Sequence, residues 1–155
     1  MKLLKSCLFS LVFVCCIILS GCGTIDVRGK TFIYGGVSIN WNNASDNTKE
    51  NVFDLYQVNN ETELLAVLKT SRNRNSRITT FGSDGKYTTK DVDGNILDSG
   101  YYEQSDKVIV LADSEEGLKE ENVYKIYANE KGYKVRIEID GEYGIFAEYQ
   151  YVEKV

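Results

Sequence analysis

The strongest constraint on the fold of this chain is an alternation of residue types in its last quarter. Between residues 133 and 140, apolar residues at odd positions alternate with charged residues at even positions. Successive side chains of a strand point to opposite faces, so this segment predicts a strand with one apolar face and one charged face. Residues 145–151 largely repeat the pattern. A half-buried antiparallel sheet is therefore the expected framework.

Other segments rich in β-branched and aromatic residues bring the expected total to eight or nine strands. Two short strands, 31–34 and 37–41, are predicted on either side of Gly35 and Gly36. Asp93-Gly94 is a type I′ hairpin signal between predicted strands 87–92 and 96–104. Such a series forms an antiparallel meander, and closure into a barrel removes its exposed edges. The remaining predicted strands cover residues 77–81, 107–112, 123–128, 133–140 and 145–153.

Two helical patterns interrupt the strands near residues 46–72. Ser45 or Asp46 is suited to cap the first, and Asn60 is suited to cap the second. The second pattern has acidic residues in its first turn, an apolar stripe over residues 64–68 and basic residues at its end, as the helix dipole favours. We expect a short helical insert in this region.

The N-terminal 22 residues have the features of a targeting segment. Two lysines precede an apolar run over residues 8–19, which is short for a membrane span of ~20 residues. The run ends in Leu19-Ser20-Gly21-Cys22, which resembles the lipobox of bacterial lipoproteins. The resemblance implies that a signal peptidase recognises Leu19, Ser20 and Gly21 and that Cys22 is lipidated with acyl chains such as palmitate. The alternatives are an ordinary signal peptide with a chance cysteine or an uncleaved membrane anchor.

The expected organisation is a signal helix of residues 1–21, a lipidated leader of residues 22–29 and a barrel domain of residues 30–155. Two acyl chains hold a protein stably at a membrane. Gly23, rather than Asp, follows Cys22. By the lipoprotein resemblance, this predicts the outer membrane in a bacterium with two membranes, and otherwise the outer face of the cell membrane.

Composition limits the chemistry expected of residues 22–155, which remain after removal of the predicted signal. Removing residues 1–21 leaves 134 residues, with 16 basic and 23 acidic side chains and a net charge of −7. That size indicates one domain, and the negative charge disfavours nucleic acid as a partner. Cys22 would be its only thiol, and the chain has no histidine. We therefore expect no disulfide, no metal, no cofactor and no catalytic residue, and hence a non-enzymatic protein.

Three charged clusters have both a functional and a structural interpretation. Asp91, Asp93 and Asn95 resemble the start of a calcium loop, but the sixth and twelfth positions lack the required Gly and Glu, which favours a hairpin turn. The acidic segment 113–121 is suited to a cation or a basic partner, although a solvated loop is more usual. Arg72, Arg74 and Arg77 could grip a phosphate or carboxylate, although ending a helix and keeping a loop soluble is the commoner role.

The chain contains eleven tyrosines, most of them on or beside predicted strands. Tyrosine combines a large apolar ring with a polar tip, which suits both barrel interiors and recognition surfaces. Strand propensity accounts for most of them. The alternative is a binding surface formed by Tyr101, Tyr102, Tyr149 and Tyr151.

The order of motifs after residue 28 resembles that of the lipocalin-like small lipoproteins of bacteria, whose members are mostly of unknown function. The matching segments are Gly29-Lys30-Thr31-Phe32, the helical insert, the hairpin 81–86, Gly100-Tyr101-Tyr102 and the strand 107–110. The resemblance covers nearly the whole domain. It implies a mainly β protein: a single antiparallel lipocalin-like β-barrel of about eight strands.

These observations lead to one functional expectation with several forms. The protein is expected to be a membrane-anchored extracytoplasmic lipoprotein that binds a small apolar or amphipathic ligand in the barrel mouth, or an envelope protein on its outer face. The alternatives are an inhibitor or exclusion factor acting on an envelope enzyme, and a structural envelope component without a discrete ligand.

Overall fold

The structure, a computed structural model, describes residues 23–155, so the predicted signal 1–21 and Cys22 lie outside the described residues. The strands are β1 (Lys30–Asn40), β2 (Ile78–Phe81), β3 (Lys86–Lys90), β4 (Ile96–Ser105), β5 (Val108–Ala112), β6 (Tyr124–Asn129), β7 (Gly132–Asp140) and β8 (Ile145–Glu153). Two helices, α1 (Asp46–Tyr56) and α2 (Glu61–Thr70), lie between β1 and β2. Short 3₁₀ segments cover Ser71–Ser76 and Glu116–Lys119.

The eight strands form a closed barrel in which each strand pairs with its neighbours in sequence and β8 pairs with β1. Every pairing is antiparallel. Closure leaves no strand of the sheet with an unpaired edge. The predicted single antiparallel barrel with a short helical insert is confirmed.

The first strand differs from the prediction of two short strands broken by glycines. Lys30–Asn40 is continuous, and its register with β8 shifts once, between Tyr34 and Gly36. Gly36 has a φ of 154°, which glycine adopts readily. The glycines therefore form a bulge that bends one strand instead of ending it.

The hairpin between β3 and β4 also differs from the predicted type I′ turn. A type I′ turn requires positive φ at both central residues. Here only Gly94 has positive φ, and its backbone N–H donates to the Asp91 carbonyl O at 3.1 Å. Asp91 Oδ1 accepts from the backbone N–H groups of Asp93 and Asn95, each at 2.9 Å. The sequence Asp-Gly predicted the turn correctly but not its five-residue form.

The helical insert begins where the sequence predicts. Ser45 caps α1 by accepting from the Thr48 N–H at 3.2 Å, and Asn60 caps α2 by accepting from the Glu63 N–H at 3.0 Å. Leu64 and Leu68 on α2 are buried. Because two short helices are marginal alone, this apolar contact with the barrel supplies much of their stability.

The barrel interior is filled mainly by aromatic rings. Phe81 lies at its centre, with ring centroids 4.9 Å from Tyr102, 5.6 Å from Tyr133 and 5.8 Å from Phe32. The Tyr133 and Tyr151 rings stack at 5.0 Å. These rings are buried, so the middle of the barrel is a packed core.

The two ends of the barrel are closed differently. At the lower end, where β1 begins, Val27 is fully buried and its backbone N–H donates to Gln104 Oε1 at 3.0 Å. Gly29 donates to the Phe81 carbonyl O at 2.8 Å. Residues 25–29 of the predicted leader thus pack against the barrel. At the upper end, where β1 finishes, the helical insert covers the mouth.

Candidate functional site

A chamber at the upper end of the barrel is the candidate functional site. Its volume is about 60 Å³, and it lies between the barrel interior and the chain that follows α2. Residues from that chain and from the seven strands β2 to β8 line it. Those with polar side chains are Arg74, Arg77, Thr79, Tyr87, Thr89, Asp98, Tyr124, Tyr133 and Tyr151.

The chamber is roofed by the 3₁₀ segment Ser71–Ser76, which we call the roof segment. Arg72 and Asn73 both have left-handed backbone conformations, with φ of 50° and 53°. Two consecutive non-glycine residues in this region turn the chain sharply and carry conformational strain. Arg74, directly after this turn, is buried over the barrel mouth, while Arg72 stays exposed.

Two tyrosines of β8 hold the insert on the barrel. The Tyr149 hydroxyl donates to the Leu68 carbonyl O at 2.9 Å, and the Tyr151 hydroxyl donates to the Arg74 carbonyl O at 3.3 Å. Both hydrogen bonds are buried. Each of these carbonyls also accepts from a backbone N–H, that of Ser71 for Leu68 and that of Arg77 for Arg74, so the tyrosine hydroxyls add a second bond at the end of the insert. The roof segment is therefore fixed by the barrel.

The chamber contains two cationic side chains without carboxylate partners. Arg74 is 8% exposed, and its guanidinium carbon lies 5.0 Å from the centroid of the Tyr149 ring. Arg77 donates from Nη2 to the Arg72 carbonyl O at 3.4 Å. Within residues 23–155, neither arginine forms an ion pair. Arg77 Nε is buried and has no hydrogen-bond partner among the same residues.

Hydroxyl groups line the wall beside the arginines. The side-chain oxygens of Thr79 and Thr89 are 2.9 Å apart and buried. Either hydroxyl can be the donor, and a hydrogen bond from Thr79 opposes the rise that burial causes in the pKa of Tyr133. The Tyr87 hydroxyl donates to Asp98 Oδ2 at 3.2 Å. Burial, together with the Asp98 charge, raises the pKa of Tyr87.

The positive charges of Arg74 and Arg77 affect the pKa values of the tyrosines around them. Burial raises the pKa of Tyr151, and the positive charges of Arg74 and Arg77 oppose that rise. The same two charges act on Tyr124, which is half exposed at the mouth. The site thus combines two guanidinium groups, one carboxylate and several neutral hydroxyls, which is a donor-rich lining suited to an acceptor-rich ligand.

A larger groove of about 830 Å³ lies at the lower end, beside Asp26, Arg28 and Gln104. Four of its polar side chains, those of Asp26, Arg28, Tyr102 and Gln104, are already paired. Arg28 bonds Asp26 at 3.0 Å on the surface, and Gln104 Nε2 donates to the Ile25 carbonyl O at 2.8 Å. The Tyr102 hydroxyl donates to the Gly82 carbonyl O at 2.7 Å. We interpret this groove as part of the leader's attachment.

The structure corrects the predicted tyrosine binding surface. Tyr102, Tyr149 and Tyr151 are at most 5% exposed, and only Tyr101 is accessible, with the Lys86 ammonium 5.5 Å from its ring centroid. The prediction is wrong for the three buried rings because the apolar face of their strands turns inward on closure. Their hydroxyls bond the backbone of the insert and of the lower hairpin instead.

The other predicted sites have separate outcomes. The predicted lipidation site Cys22 and the predicted peptidase determinants Leu19, Ser20 and Gly21 lie outside the described residues. Asp91 forms the hairpin turn, since its carboxylate also accepts from Asn95 Nδ2 at 2.9 Å. Within residues 23–155, no group of three or more carboxylate side chains is placed to hold a metal ion.

The arginine block is divided by the fold. Arg72 is exposed and fits the expectation of a solubilising charge, whereas Arg74 and Arg77 line the chamber. Sequence reasoning missed Thr79, Thr89 and Asp98 as their neighbours. Alternation within β2 and β3 indicated that the two threonines face the same side as Phe81 and Tyr87, but threonine is also common on outer strand faces.

Comparison with protein-family models, curated proteins and solved structures returned no match. No helix within residues 23–155 combines the length and the apolar character needed to cross a membrane.

Proposed function

We propose that this protein is a lipid-anchored, non-enzymatic binding protein of the bacterial cell envelope whose ligand occupies the chamber at the upper end of the barrel. The closed barrel is a rigid scaffold, and small-molecule sites commonly lie in the mouths of such barrels. The anchor would be Cys22, as the Leu19-Ser20-Gly21-Cys22 resemblance implies.

The single observation that carries the binding proposal is the buried, unpartnered Nε of Arg77. A buried donor without an acceptor costs free energy, and such a group calls for a missing partner. The chamber beside it, at about 60 Å³, is large enough to hold one, since a single water molecule requires only ~10–15 Å³ of such a cavity. A ligand acceptor at this position would satisfy Arg77.

The packed interior of the barrel limits the size of the ligand. Phe81, Tyr133 and Tyr151 fill the barrel below the chamber. A long apolar chain therefore finds no room inside. A small ligand, or the head of a larger one that stays outside the mouth, fits the available volume.

The position of the leader supports an orientation on the membrane. Gly23, which follows the predicted anchor, lines the groove at the lower end, and the chamber lies at the upper end. The strands between them include the 11 residues of β1. With an anchor at Cys22, the chamber would open away from the membrane towards diffusing ligands.

The binding proposal is tested by native mass spectrometry of the full-length chain extracted from membranes in mild detergent. A small molecule should co-purify with the natural protein and with Arg72→Gln, and it should be lost from Arg77→Gln. Both substitutions remove one charge near the roof segment, but only Arg77 lines the chamber. Equal recovery from both variants would contradict the proposal.

The anchor is tested independently by metabolic labelling with a palmitate analogue. The natural chain should incorporate label and fractionate with membranes, and Cys22→Ser should do neither. Label retained in the Cys22→Ser chain would overturn the lipobox assignment. Labelling does not depend on the chamber, so the two parts of the proposal can fail separately.

Binding of an envelope protein is a second candidate, favoured by one surface feature. The β3–β4 hairpin exposes Val92 and Ile96 by 71% and 65%, with Leu97 beside them. Apolar side chains grouped at a protruding tip are typical of contact surfaces. Crosslinking from a photoreactive residue at position 96 in intact cells should trap one discrete partner, and a diffuse ladder of products would contradict this candidate.

A further inference from the structure

We infer that the ligand of the chamber is a small oxyanion, namely a phosphate, sulfate or carboxylate group, held by Arg74 and Arg77. The inference rests on the proposed function, because it names the chemical class of ligand for the same chamber. It is carried by the charges, the donor geometry and the volume of the site.

The charge balance of the chamber favours an anion. Arg74 and Arg77 contribute two positive charges, and Asp98 is the one carboxylate in the lining. Asp98 accepts from Tyr87 and pairs with neither arginine. A partly buried charge without a counter-ion is unfavourable, so a bound anion would relieve it.

This positive site contrasts with the composition of the domain. From residue 22 onward the chain has 16 basic and 23 acidic residues. A chain with this excess of acids has ample opportunity to pair a buried arginine. That neither Arg74 nor Arg77 forms an ion pair among the described residues is therefore a specific property of the chamber.

The donors are of the kind that oxyanions accept. A guanidinium presents its N–H groups as a planar fork that matches two oxygens of a carboxylate or phosphate. Arg77 Nε is available for such a bond, and the Thr79 and Thr89 hydroxyls lie in the same lining. Charge-assisted hydrogen bonds of this type are about twice as strong as neutral ones.

The volume restricts which anions fit. About 60 Å³ is several times the ~10–15 Å³ that a single water requires in such a cavity, and far below the ~300 Å³ at which drug-sized pockets begin. A compact oxyanion group fits this space, whereas a ring or a branched chain does not. Larger ligands would have to place only their anionic group inside.

The roof segment is built to hold the arginines in position before a ligand arrives. Its left-handed residues Arg72 and Asn73 are strained, and strain of this kind persists only where surrounding contacts enforce it. The Tyr151 hydroxyl bond to the Arg74 carbonyl O is one such contact. Preorganisation lowers the entropy that binding would otherwise cost.

The test is thermal unfolding of the full-length chain in mild detergent with sodium phosphate, sulfate or acetate, compared with sodium chloride at equal ionic strength. At ten times its Kd, a bound oxyanion should raise the Tm by about 4 to 6 °C over chloride. The phosphate and sulfate arms report tetrahedral ions, and the acetate arm reports a planar carboxylate. Arg72→Gln should respond like the natural chain, Arg77→Gln should not respond, and Arg77→Lys should respond less because it lacks the fork.

The outcomes separate the oxyanion from the wider binding function. Equal Tm values in all four salts would overturn the inference, and so would an unchanged response in Arg77→Gln that unfolds cooperatively. A neutral molecule found by native mass spectrometry in the natural chain but not in Arg77→Gln would leave the binding function standing and overturn the oxyanion. A response to one oxyanion alone would confirm the class and identify the member.

Discussion

The phenolic hydroxyl of Tyr151 on the last strand donates to the carbonyl O of Arg74 in the roof segment, at 3.3 Å and out of contact with solvent. The two residues are 77 positions apart. This bond ties the segment that carries Arg74 to β8, the strand that closes the barrel by pairing with β1. The stability of the roof and the function proposed for the chamber therefore depend on the same contact.

Removing the Tyr151 hydroxyl should weaken both the stability of the roof segment and ligand binding in the chamber. Tyr151→Phe keeps the ring in its stack with Tyr133 but leaves the Arg74 carbonyl O with only the longer bond from the Arg77 backbone N–H, at 3.5 Å. We expect a loss of about 1 to 2 kcal/mol in the free energy of unfolding, measured in urea. Tyr143→Phe, which alters an exposed tyrosine, should change it by less than about 0.5 kcal/mol. Equal effects of the two substitutions would show that the hydroxyl does not support the roof.

Arg77 should lower the stability of the protein when no ligand is bound. Arg77→Met removes the buried Nε that lacks a partner while keeping an apolar stem. In salt solutions without phosphate, sulfate or carboxylates, we expect this variant to be more stable by about 1 kcal/mol. Arg72→Met, on the exposed side of the roof, should lie within about 0.5 kcal/mol of the natural chain. A destabilised Arg77→Met would mean that Arg77 is a structural residue.

Glu148 should make stability depend on pH on the acidic side. It accepts from Lys134 Nζ and Arg136 Nε, each at 2.9 Å. Burial acts to raise the pKa of Glu148, but the hydrogen bonds and charges of Lys134 and Arg136 outweigh it and lower the pKa below 4.5. A lowered pKa stabilises the fold above about pH 4.5, and that stabilisation is lost as the pH falls through the folded value.

This pH dependence is tested by comparing Glu148→Gln with the control Glu130→Gln. Glu130 is exposed and forms no ion pair among the described residues. Urea unfolding at pH 7 should show Glu148→Gln to be about 1 kcal/mol less stable. The difference from the natural chain should shrink towards pH 3. A difference that is constant between pH 7 and pH 3 would exclude the ionised carboxylate as its cause.

The close approach of β7 and β8 depends on one glycine. A Cβ added to Gly132 would overlap the carbonyl O of Tyr151, whereas a Cβ on Gly36 meets nothing within 4 Å. Both glycines have a φ of 154°, so the pair separates crowding from backbone conformation. We expect Gly132→Ala to cost about 3 kcal/mol and Gly36→Ala about 1 kcal/mol in urea unfolding. Similar costs would show that the backbone conformation, and not the crowding, matters.

Local patterns predicted most of the barrel. Alternation over residues 133–140 and 145–151 determined two long strands and their inner faces, and helix capping by Ser45 and Asn60 followed from their own side chains. These features depend on neighbours within a few residues, which a sequence displays directly. The alternation with Glu148 also contained the reason why Tyr149 and Tyr151 face inward.

The chamber was harder to predict because it depends on closure. Arg74 comes to line one chamber with Tyr151 and Asp98 only after β8 pairs with β1 and the insert folds over the mouth. No glycine marks the left-handed turn at Arg72 and Asn73, which directs the chain over the barrel. Three nearby arginines were therefore visible, but nothing local distinguished the exposed one from the two that line the chamber.

The most direct test of the chamber is the NMR signal of the Arg77 Nε–Hε group in the full-length chain. The signal is assigned by its loss in Arg77→Lys and then followed while phosphate, sulfate or acetate replaces chloride at constant ionic strength. We predict that at least one of these oxyanions shifts it in a saturable manner, while the exposed Arg72 signal stays in place. An Arg77 signal that does not move with any of them would contradict the account.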